Sequence, residues 1–183
     1  MKTHIGNVVL ILNRPANGSN PSILMGRKRP SKKSDQKRKR KKVGSGKWVP
    51  PGGGTELTDK SQKHAAQREI LQETGLFFPL SGFKKVGTLK GYLDRSSAPL
   101  WLVHLYMVIA DKQASQSTFV PNEEYVDMRW FPLSDLPFAD MLPGDRDWIP
   151  RLIQGEKLSV KLFFEGQARD LVSKEIRSIL ALN

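Results

Sequence analysis

The chain has 183 residues, of which 38% are hydrophobic and 26% charged, a composition typical of one globular domain with a sizeable core. It contains no cysteine, which excludes disulfide bonds, thiolate metal sites and cysteine nucleophiles. The net charge is +12, but eleven Lys and Arg against one Asp in Arg27–Lys42 account for +10, so the remainder is nearly neutral.

Apolar segments along the chain predict a sheet. We expect strands, in chain order, at Asn7–Asn13, Ile23–Gly26, Val86–Tyr92, Leu100–Ala110, Tyr125–Phe131 and Val160–Phe164. Helices are predicted at Ser61–Thr74 and at Ala168–Leu182, where apolar residues recur at helical spacing. This order predicts an α/β (α+β) fold with one sheet and helices against it, in a single domain over residues 1–183. Leu100–Ala110 is too short to cross a bilayer and the N-terminus lacks a secretory segment, so we expect a cytoplasmic or nuclear protein.

The basic run Lys32–Lys42 forms a predicted loop insertion at about residues 31–42. A run of like charges repels itself and does not fold into a core. Three roles are open for it: a signal for a nuclear import receptor, a contact to nucleic acid, or a solvated loop.

The stretch from Gly54 to Leu76 contains the sequence REILQETG, which indicates a metal site. Glu69 and Glu73 stand four apart and share one face of the predicted helix, with Gln72 on the same side. Two carboxylates in one space repel each other unless a cation lies between them, and a hard divalent cation suits oxygen ligands. The preceding glycines, Gly52 to Gly54, are typical of a loop in which backbone approaches a ligand.

This spacing resembles the Nudix box, GX5EX7REUXEEXGU, in which U is aliphatic. Anchored on Gly54, the match includes Arg68, Glu69, Ile70, Glu73, Gly75 and Leu76. Lys60 stands where the first Glu of the box belongs, and Gln72 where the first Glu of the acidic pair belongs. Anchoring on Gly53 instead leaves Asp59 or Glu56 to act for the first Glu.

The resemblance extends over nearly the whole chain to the MutT-like oxidised-purine nucleoside triphosphate hydrolases. It is carried by segments such as Val103–Tyr106, Trp130–Phe131 and Leu136–Phe138. It implies a Nudix fold, a mixed β-sheet sandwiched between helices. It also implies Mg²⁺-dependent hydrolysis, with Mn²⁺ as a substitute, of purine nucleoside triphosphates to the monophosphate and diphosphate. The biological role so implied is sanitation of the nucleotide pool and avoidance of DNA damage.

The resemblance also assigns roles to individual residues. Glu69 and Glu73 are the implied catalytic residues, with Glu69 accepting a proton from water. The implied metal ligands are Gly52 through its carbonyl, Glu69, Gln72, Glu73 and Glu124, with Glu123 as the alternative to Glu124. The expected substrate-binding residues are Asn7, Lys28, Trp101, Asp145 and Trp148. Arg68 is expected to orient the glycine loop and the neighbouring carboxylate.

Two other functions remain open from the sequence. One is a Nudix hydrolase of capped RNA or dinucleotides, in which the basic run contacts a phosphate backbone. The other is a Nudix-fold binding module that has lost turnover, an interpretation based on Lys60 and Gln72.

Overall fold

The computed structural model describes residues 2–16, 18, 20–31, 44–94, 96–166 and 170–180. Its centre is a mixed eight-stranded sheet in the order β3-β2-β1-β5-β4-β7-β8, with β6 pairing with β2. The strands are β1 His4–Asn13, β2 Ser22–Lys28, β3 Trp48–Val49, β4 Lys84–Leu93, β5 Trp101–Ala110, β6 Tyr125–Pro132, β7 Leu158–Glu165 and β8 Asp170–Ser178. The helices are α1 Gln62–Thr74, α2 Lys112–Ser115 and α3 Asp145–Ile153. The predicted α+β architecture is confirmed.

Helices α1 and α3 lie on opposite faces of the sheet because each strand alternates its apolar side chains. On β1, Leu10 and Leu12 face the cluster that holds Trp148 and Leu152 of α3. Val9 and Ile11 face the cluster that holds Ala66 and Ile70 of α1. The two layers exclude water from the centre of the sheet, and burial of this apolar area is the main source of stability.

The glycine loop runs along the part of β1 that β2 leaves open. β1 and β2 are paired only at Leu12 with Ile23 and Asn13 with Ser22. Beyond that point, the amide of Asn7 donates to Gly53 O at 2.8 Å and the amide of Val9 to Pro51 O at 2.9 Å. The loop is therefore held against the sheet by backbone hydrogen bonds, in front of α1.

The prediction of a C-terminal helix was wrong, because Asp170–Ser178 forms strand β8 against β7. Leu171 and Ile176 pack against the core, but Val172 is 53% exposed and Leu180 is 103% exposed, so the expected helical apolar face does not exist. As a strand, the segment supplies hydrogen-bond partners to the edge of β7. The sequence analysis also missed α3, which begins within the Pro-rich segment 132–150.

The basic run Lys32–Lys42 lies outside the described residues. The described residues that flank it are close together, because the amide of Ser31 donates to Ser45 Oγ at 2.8 Å. No helix in the described part of the chain is long and apolar enough to span a membrane.

Candidate active site

Helix α1 carries the acidic residues of the site, and its ends are set by local chemistry. Ser61 caps the N-terminus by accepting from the amide of His64 at 3.3 Å. Gly75 ends the helix in the left-handed region at φ 71°, with its amide donating to Leu71 O. The helix packs on the sheet through Ala65, Ala66 and Ile70, so its polar face turns towards the glycine loop.

Arg68 connects the helix to this loop. Its Nη2 donates to Gly54 O at 3.0 Å, and its Nη1 donates to Glu69 Oε1 at 3.0 Å and to Gln72 Oε1 at 3.1 Å. The guanidinium thus fixes the loop backbone and one carboxylate oxygen of Glu69 in a single planar group. Gln72 uses its carbonyl oxygen in the same network.

Asp59, rather than Glu56, is the main acidic partner of Arg68. Arg68 Nε and Nη2 donate to the two carboxylate oxygens of Asp59 at 3.0 and 2.9 Å, in a bidentate pair. The Asp59 side chain is only 5% exposed, whereas Glu56 is 61% exposed and lies 3.3 Å from Arg68. The hydrogen bonds from Arg68 lower the pKa of Asp59, which keeps it ionised. Of the two candidates for the first Glu of the box, Asp59 rather than Glu56 is therefore the buried partner of Arg68.

Glu73 is a largely buried carboxylate at the C-terminal end of α1. Its Oε2 accepts from the amide of Gly52 at 2.9 Å and from the Tyr125 hydroxyl at 3.2 Å. Burial raises its pKa to about 7, and the charge of Glu69 adds to this rise, while the Gly52 amide, Lys28 and the Tyr125 hydroxyl oppose it. Because burial disfavours the ionised form of Glu73, a nearby cation would stabilise that form.

The glycines allow this close approach. Gly52 has φ 146°, and a Cβ there would lie 2.2 Å from Asn7 O. A Cβ at Gly53 would lie 2.4 Å from Glu69 Oε2. Any larger residue at either position would displace β1 or the carboxylate of Glu69.

A third carboxylate reaches the site from the segment before β6. The Asn122 side chain accepts from the amides of Glu124 and Tyr125 at 2.9 and 2.8 Å, and donates to Glu73 O at 2.8 Å. Glu124 Oε1 forms an ion pair with Lys28 Nζ at 2.8 Å. Neither Asn122 nor Tyr125 was predicted as a site residue, although an Asn preceding a strand is a signal for such a turn.

These groups line a carboxylate pocket of about 1000 Å³. Its lining contains four carboxylates and one lysine among the described residues, namely Glu69, Glu73, Glu123, Glu124 and Lys28. As placed, no three acidic or histidine side chains in the described part of the chain converge closely enough to hold a metal ion. The excess of negative charge and the oxygen donors nevertheless fit Mg²⁺ or Mn²⁺ rather than a softer metal.

A second, apolar pocket of about 220 Å³ adjoins the first on the α3 side of the sheet. The two pockets share Lys28, Gly52 and Trp101 in their linings, so they are parts of one cleft. Trp101 packs edge-on against Phe164, with ring centroids 6.3 Å apart. The rest of the lining is mostly aliphatic and includes Leu142 and Leu162.

Asp145 is the acidic residue of the apolar pocket, and Trp148 lies beside it on α3. Asp145 is 4% exposed and accepts from the amide of Leu142 at 3.2 Å. Burial raises its pKa to about 7, although the Leu142 amide opposes the rise. Trp148 is buried, and its Nε1 has no acceptor of good geometry among the described residues. The pocket thus combines a buried carboxyl with two tryptophan rings in a largely apolar lining, an arrangement that suits a flat heterocycle.

The cleft brings together nine of the ten predicted site residues and leaves Asn7 apart. The nine are Lys28, Gly52, Glu69, Gln72, Glu73, Trp101, Glu124, Asp145 and Trp148. Asn7 lies on the strand face that carries Val9 and Ile11, towards α1, and lines neither pocket. The buried side-chain amide of Asn7 has no hydrogen-bond partner among the described residues, nor does the buried Nδ1 of His104, its neighbour on β5.

Comparison with known proteins identifies the family. The NUDIX domain family matches residues 5–152. The chain belongs to the Nudix family. This Nudix protein is 31% identical over 130 residues to the oxidized purine nucleoside triphosphate hydrolase of Mus musculus, covering 70% of this chain and 77% of the mouse protein. The protein of that name from Danio rerio is 27% identical over 128 residues, covering 70% of this chain and 76% of the zebrafish protein.

The Nudix fold is also seen in solved structures. The MutT protein from Bacillus halodurans superimposes with a TM-score of 0.68 at 16% identity, over 94% of this chain and 97% of that chain. Identity this low shows a shared fold alone. Nudix hydrolases generally use divalent metal ions such as Mg²⁺ or Mn²⁺, which agrees with the oxygen-rich carboxylate pocket of this Nudix protein.

Proposed function

We propose that this Nudix hydrolase cleaves purine nucleoside triphosphates, oxidised purines included, to the monophosphate and diphosphate with Mg²⁺ or Mn²⁺. The observation that carries the proposal is the continuity of the apolar and carboxylate pockets through Lys28, Gly52 and Trp101. A nucleotide has the same division into a flat base and an anionic chain. The similarity to the mouse and zebrafish enzymes supports this substrate class.

The residues of the carboxylate pocket would hold the cation and the triphosphate. Glu69, Glu73 and Glu124 supply carboxylate oxygens, the Gly52 carbonyl and Gln72 supply neutral ones, and the Gly52 amide keeps Glu73 in place. When bound, the cation neutralises the phosphates and lowers the pKa of the attacking water. Glu69 would accept a proton from the attacking water, and Arg68 holds Glu69 Oε1 in place.

The residues of the apolar pocket would bind the base. Trp101 and Trp148 offer aromatic surface, and Asp145 offers a carboxyl that either accepts or donates a hydrogen bond near neutral pH. Wrong bases are rejected when a buried polar group is left without a partner. Asp145 is therefore the proposed reader of the base.

The bidentate pair of Arg68 with Asp59 supports an active enzyme over a binding module. The departure at Lys60 suggested lost turnover, but Asp59 supplies a buried carboxylate to the same arginine. The positioning of Glu69 is thereby maintained.

A hydrolysis screen with Mg²⁺ tests the proposal, using normal and oxidised purine nucleoside triphosphates, dinucleotides and capped RNA. We expect release of monophosphate and diphosphate from a purine triphosphate with the highest kcat/KM in the panel. Faster cleavage of capped RNA or dinucleotides would show that these, and not purine nucleoside triphosphates, are the substrate class. Binding of nucleotides without turnover of any substrate would favour the binding module.

A further inference from the structure

Lys28 stands where the two pockets meet, and its charge is directed at a proposed metal ligand. Its Nζ lies 2.8 Å from Glu124 Oε1, with the two side chains 23% and 31% exposed. Lys28 also lines the apolar pocket, so its ammonium is within the cleft that a nucleotide would occupy.

The backbones on both sides of this ion pair are fixed. The amide of Lys28 donates to Lys47 O at 2.9 Å, and the amide of Gly46 donates to Lys28 O at 3.1 Å. The amide of Glu124 is held by Asn122, and its carbonyl accepts from the amide of Arg29 at 2.8 Å. If Lys28 or Glu124 changes its partner, the movement is therefore in the side chains. The lysine side chain has four rotatable bonds and carries a compact charge, so it can make such a movement.

A pocket holding this ion pair is poorly prepared for a divalent cation. The ammonium neutralises one of the carboxylates and repels a second cation at the distance of a contact. A triphosphate changes the balance, because its oxygens carry more negative charge than a carboxylate and attract the same ammonium.

We propose that Lys28 exchanges Glu124 for the phosphates when a nucleotide enters, and that Glu124 is thereby released to the metal. The proposal rests on the proposed function and adds to it a positioning role for Lys28: the lysine couples metal affinity to nucleotide binding. Without nucleotide, Lys28 lowers the affinity of the site for the cation. With nucleotide, the same lysine contributes to substrate affinity, and Glu124 completes the ligand set with Glu69 and Glu73.

The proposal predicts effects of opposite sign from one substitution. In nucleotide-free protein, Lys28→Met should tighten Mn²⁺ binding about tenfold, because a positive charge next to the site is lost. The same variant should bind α,β-methylene-GTP more weakly than the wild type. Free Mn²⁺ measured by electron paramagnetic resonance gives the first quantity, and calorimetry with the analogue at saturating Mg²⁺ gives the second.

Two further variants control for charge and for partner. Lys112→Met makes the same change in net charge on α2, which follows the opposite end of β5 from Trp101 of the cleft, and should leave Mn²⁺ affinity unchanged. Glu124→Gln removes the carboxylate that Lys28 contacts, and in this background Lys28→Met should tighten Mn²⁺ binding much less than in the wild type. Circular dichroism checks that each variant is folded.

Two results would overturn the exchange. Unchanged Mn²⁺ affinity in Lys28→Met would make Lys28 a phosphate ligand only. Weaker binding of both Mn²⁺ and the analogue would make it a structural residue. Failure of the proposed function is a separate result: if the wild type hydrolyses no nucleoside triphosphate, the Mn²⁺ measurement still reports whether Lys28 opposes the cation.

Discussion

The ion pair of Arg68 with Asp59 leads to a prediction that separates two residues the sequence could not distinguish. Replacing Asp59 by Ala removes the two carboxylate oxygens that accept from Arg68 Nε and Nη2, and leaves Gly54 O as the remaining acceptor of Nη2. The guanidinium then keeps its hydrogen bonds to Gly54, Glu69 and Gln72 but loses its bidentate partner. We expect lower stability and lower turnover from this single change.

The expected loss in the free energy of unfolding can be estimated from the exposed fractions of the two side chains. The Asp59 side chain is 5% exposed and Arg68 is 20% exposed, so the pair is buried on one side and partly solvated on the other. Breaking such a pair should reduce the free energy of unfolding by about 2–3 kcal/mol, somewhat below the loss for a fully buried pair. Glu56 is 61% exposed, so Glu56→Ala should cost less than about 1 kcal/mol.

The assays are urea denaturation for stability and hydrolysis of the preferred triphosphate for turnover. Asp59→Ala should lower kcat about tenfold, because Arg68 is then less firmly oriented and holds Glu69 Oε1 less well. A tenfold loss corresponds to about 1.4 kcal/mol in the activation free energy. Asp59→Glu should retain part of both quantities. Equal effects from Asp59→Ala and Glu56→Ala, or a larger effect from Glu56→Ala, would refute the assignment.

Three further predictions concern catalysis, the base and the basic run. Glu73→Gln should lower turnover by orders of magnitude while the protein stays folded, because a charged oxygen ligand is lost; near-normal Mg²⁺-dependent diphosphate release would contradict the metal-site assignment. Asp145→Asn should change the ranking among guanine, adenine and oxidised purine triphosphates. Asp145→Asn should also remove the Asp145 contribution, up to about 4 kcal/mol, to a fall in wild-type stability between about pH 4 and 7, because the unfolded chain ionises this group first; the contribution of Glu73 to that fall should remain. Deleting residues 31–41 should preserve hydrolysis but reduce nuclear accumulation or salt-sensitive nucleic-acid binding; loss of hydrolysis would place the run in the site.

The pH prediction for Asp145 has a definite sign. The unfolded group titrates near 3.8 and the folded group near 7, so both are protonated below the lower value and burial carries no charge penalty. Between the two values the unfolded chain releases its proton while the folded protein retains it, and stability falls. Melting temperatures of wild type and Asp145→Asn across this range measure the difference; parallel curves would show that the carboxyl is solvated.

Most of the sheet could be predicted from the sequence because its strands alternate or are continuously apolar. Trp101, Val103 and Leu105 alternate with His104 and Tyr106, and this segment forms β5 as predicted. The C-terminal segment could not be assigned in the same way. Val172, Ile176 and Leu180 recur every four residues, a spacing that suits a helix. Leu171 and Ile176 are five residues apart and share the core face because the pairing of β8 with β7 contains a bulge, and the free edge of β7 decides for the strand.

In the candidate site, too, local relations could be predicted from the sequence and long-range contacts could not. Glu69 and Glu73 could be predicted because their relation is local, four residues apart on one helix. The pair of Lys28 with Glu124 joins residues 96 positions apart. The hydrogen bond of Tyr125 with Glu73 spans 52 positions. No local pattern contains such contacts, and they arise only when β2 and β6 pair and bring their ends to the C-terminus of α1.

The two departures from the box are compensated around Arg68. Lys60 removes one carboxylate from the expected pattern, and Asp59 restores it one residue earlier, where the turn with Glu56 directs the side chain inward: the amide of Glu56 donates to Asp59 Oδ2 at 2.8 Å. Gln72 removes a second carboxylate but keeps an oxygen for Arg68 Nη1. Because Asp59 occupies Nε and Nη2, Arg68 contacts Glu69 only through Nη1, which Gln72 shares. Glu69 therefore remains oriented without a bidentate arginine of its own, and its Oε2, beside Gly53, faces the loop that lines the carboxylate pocket.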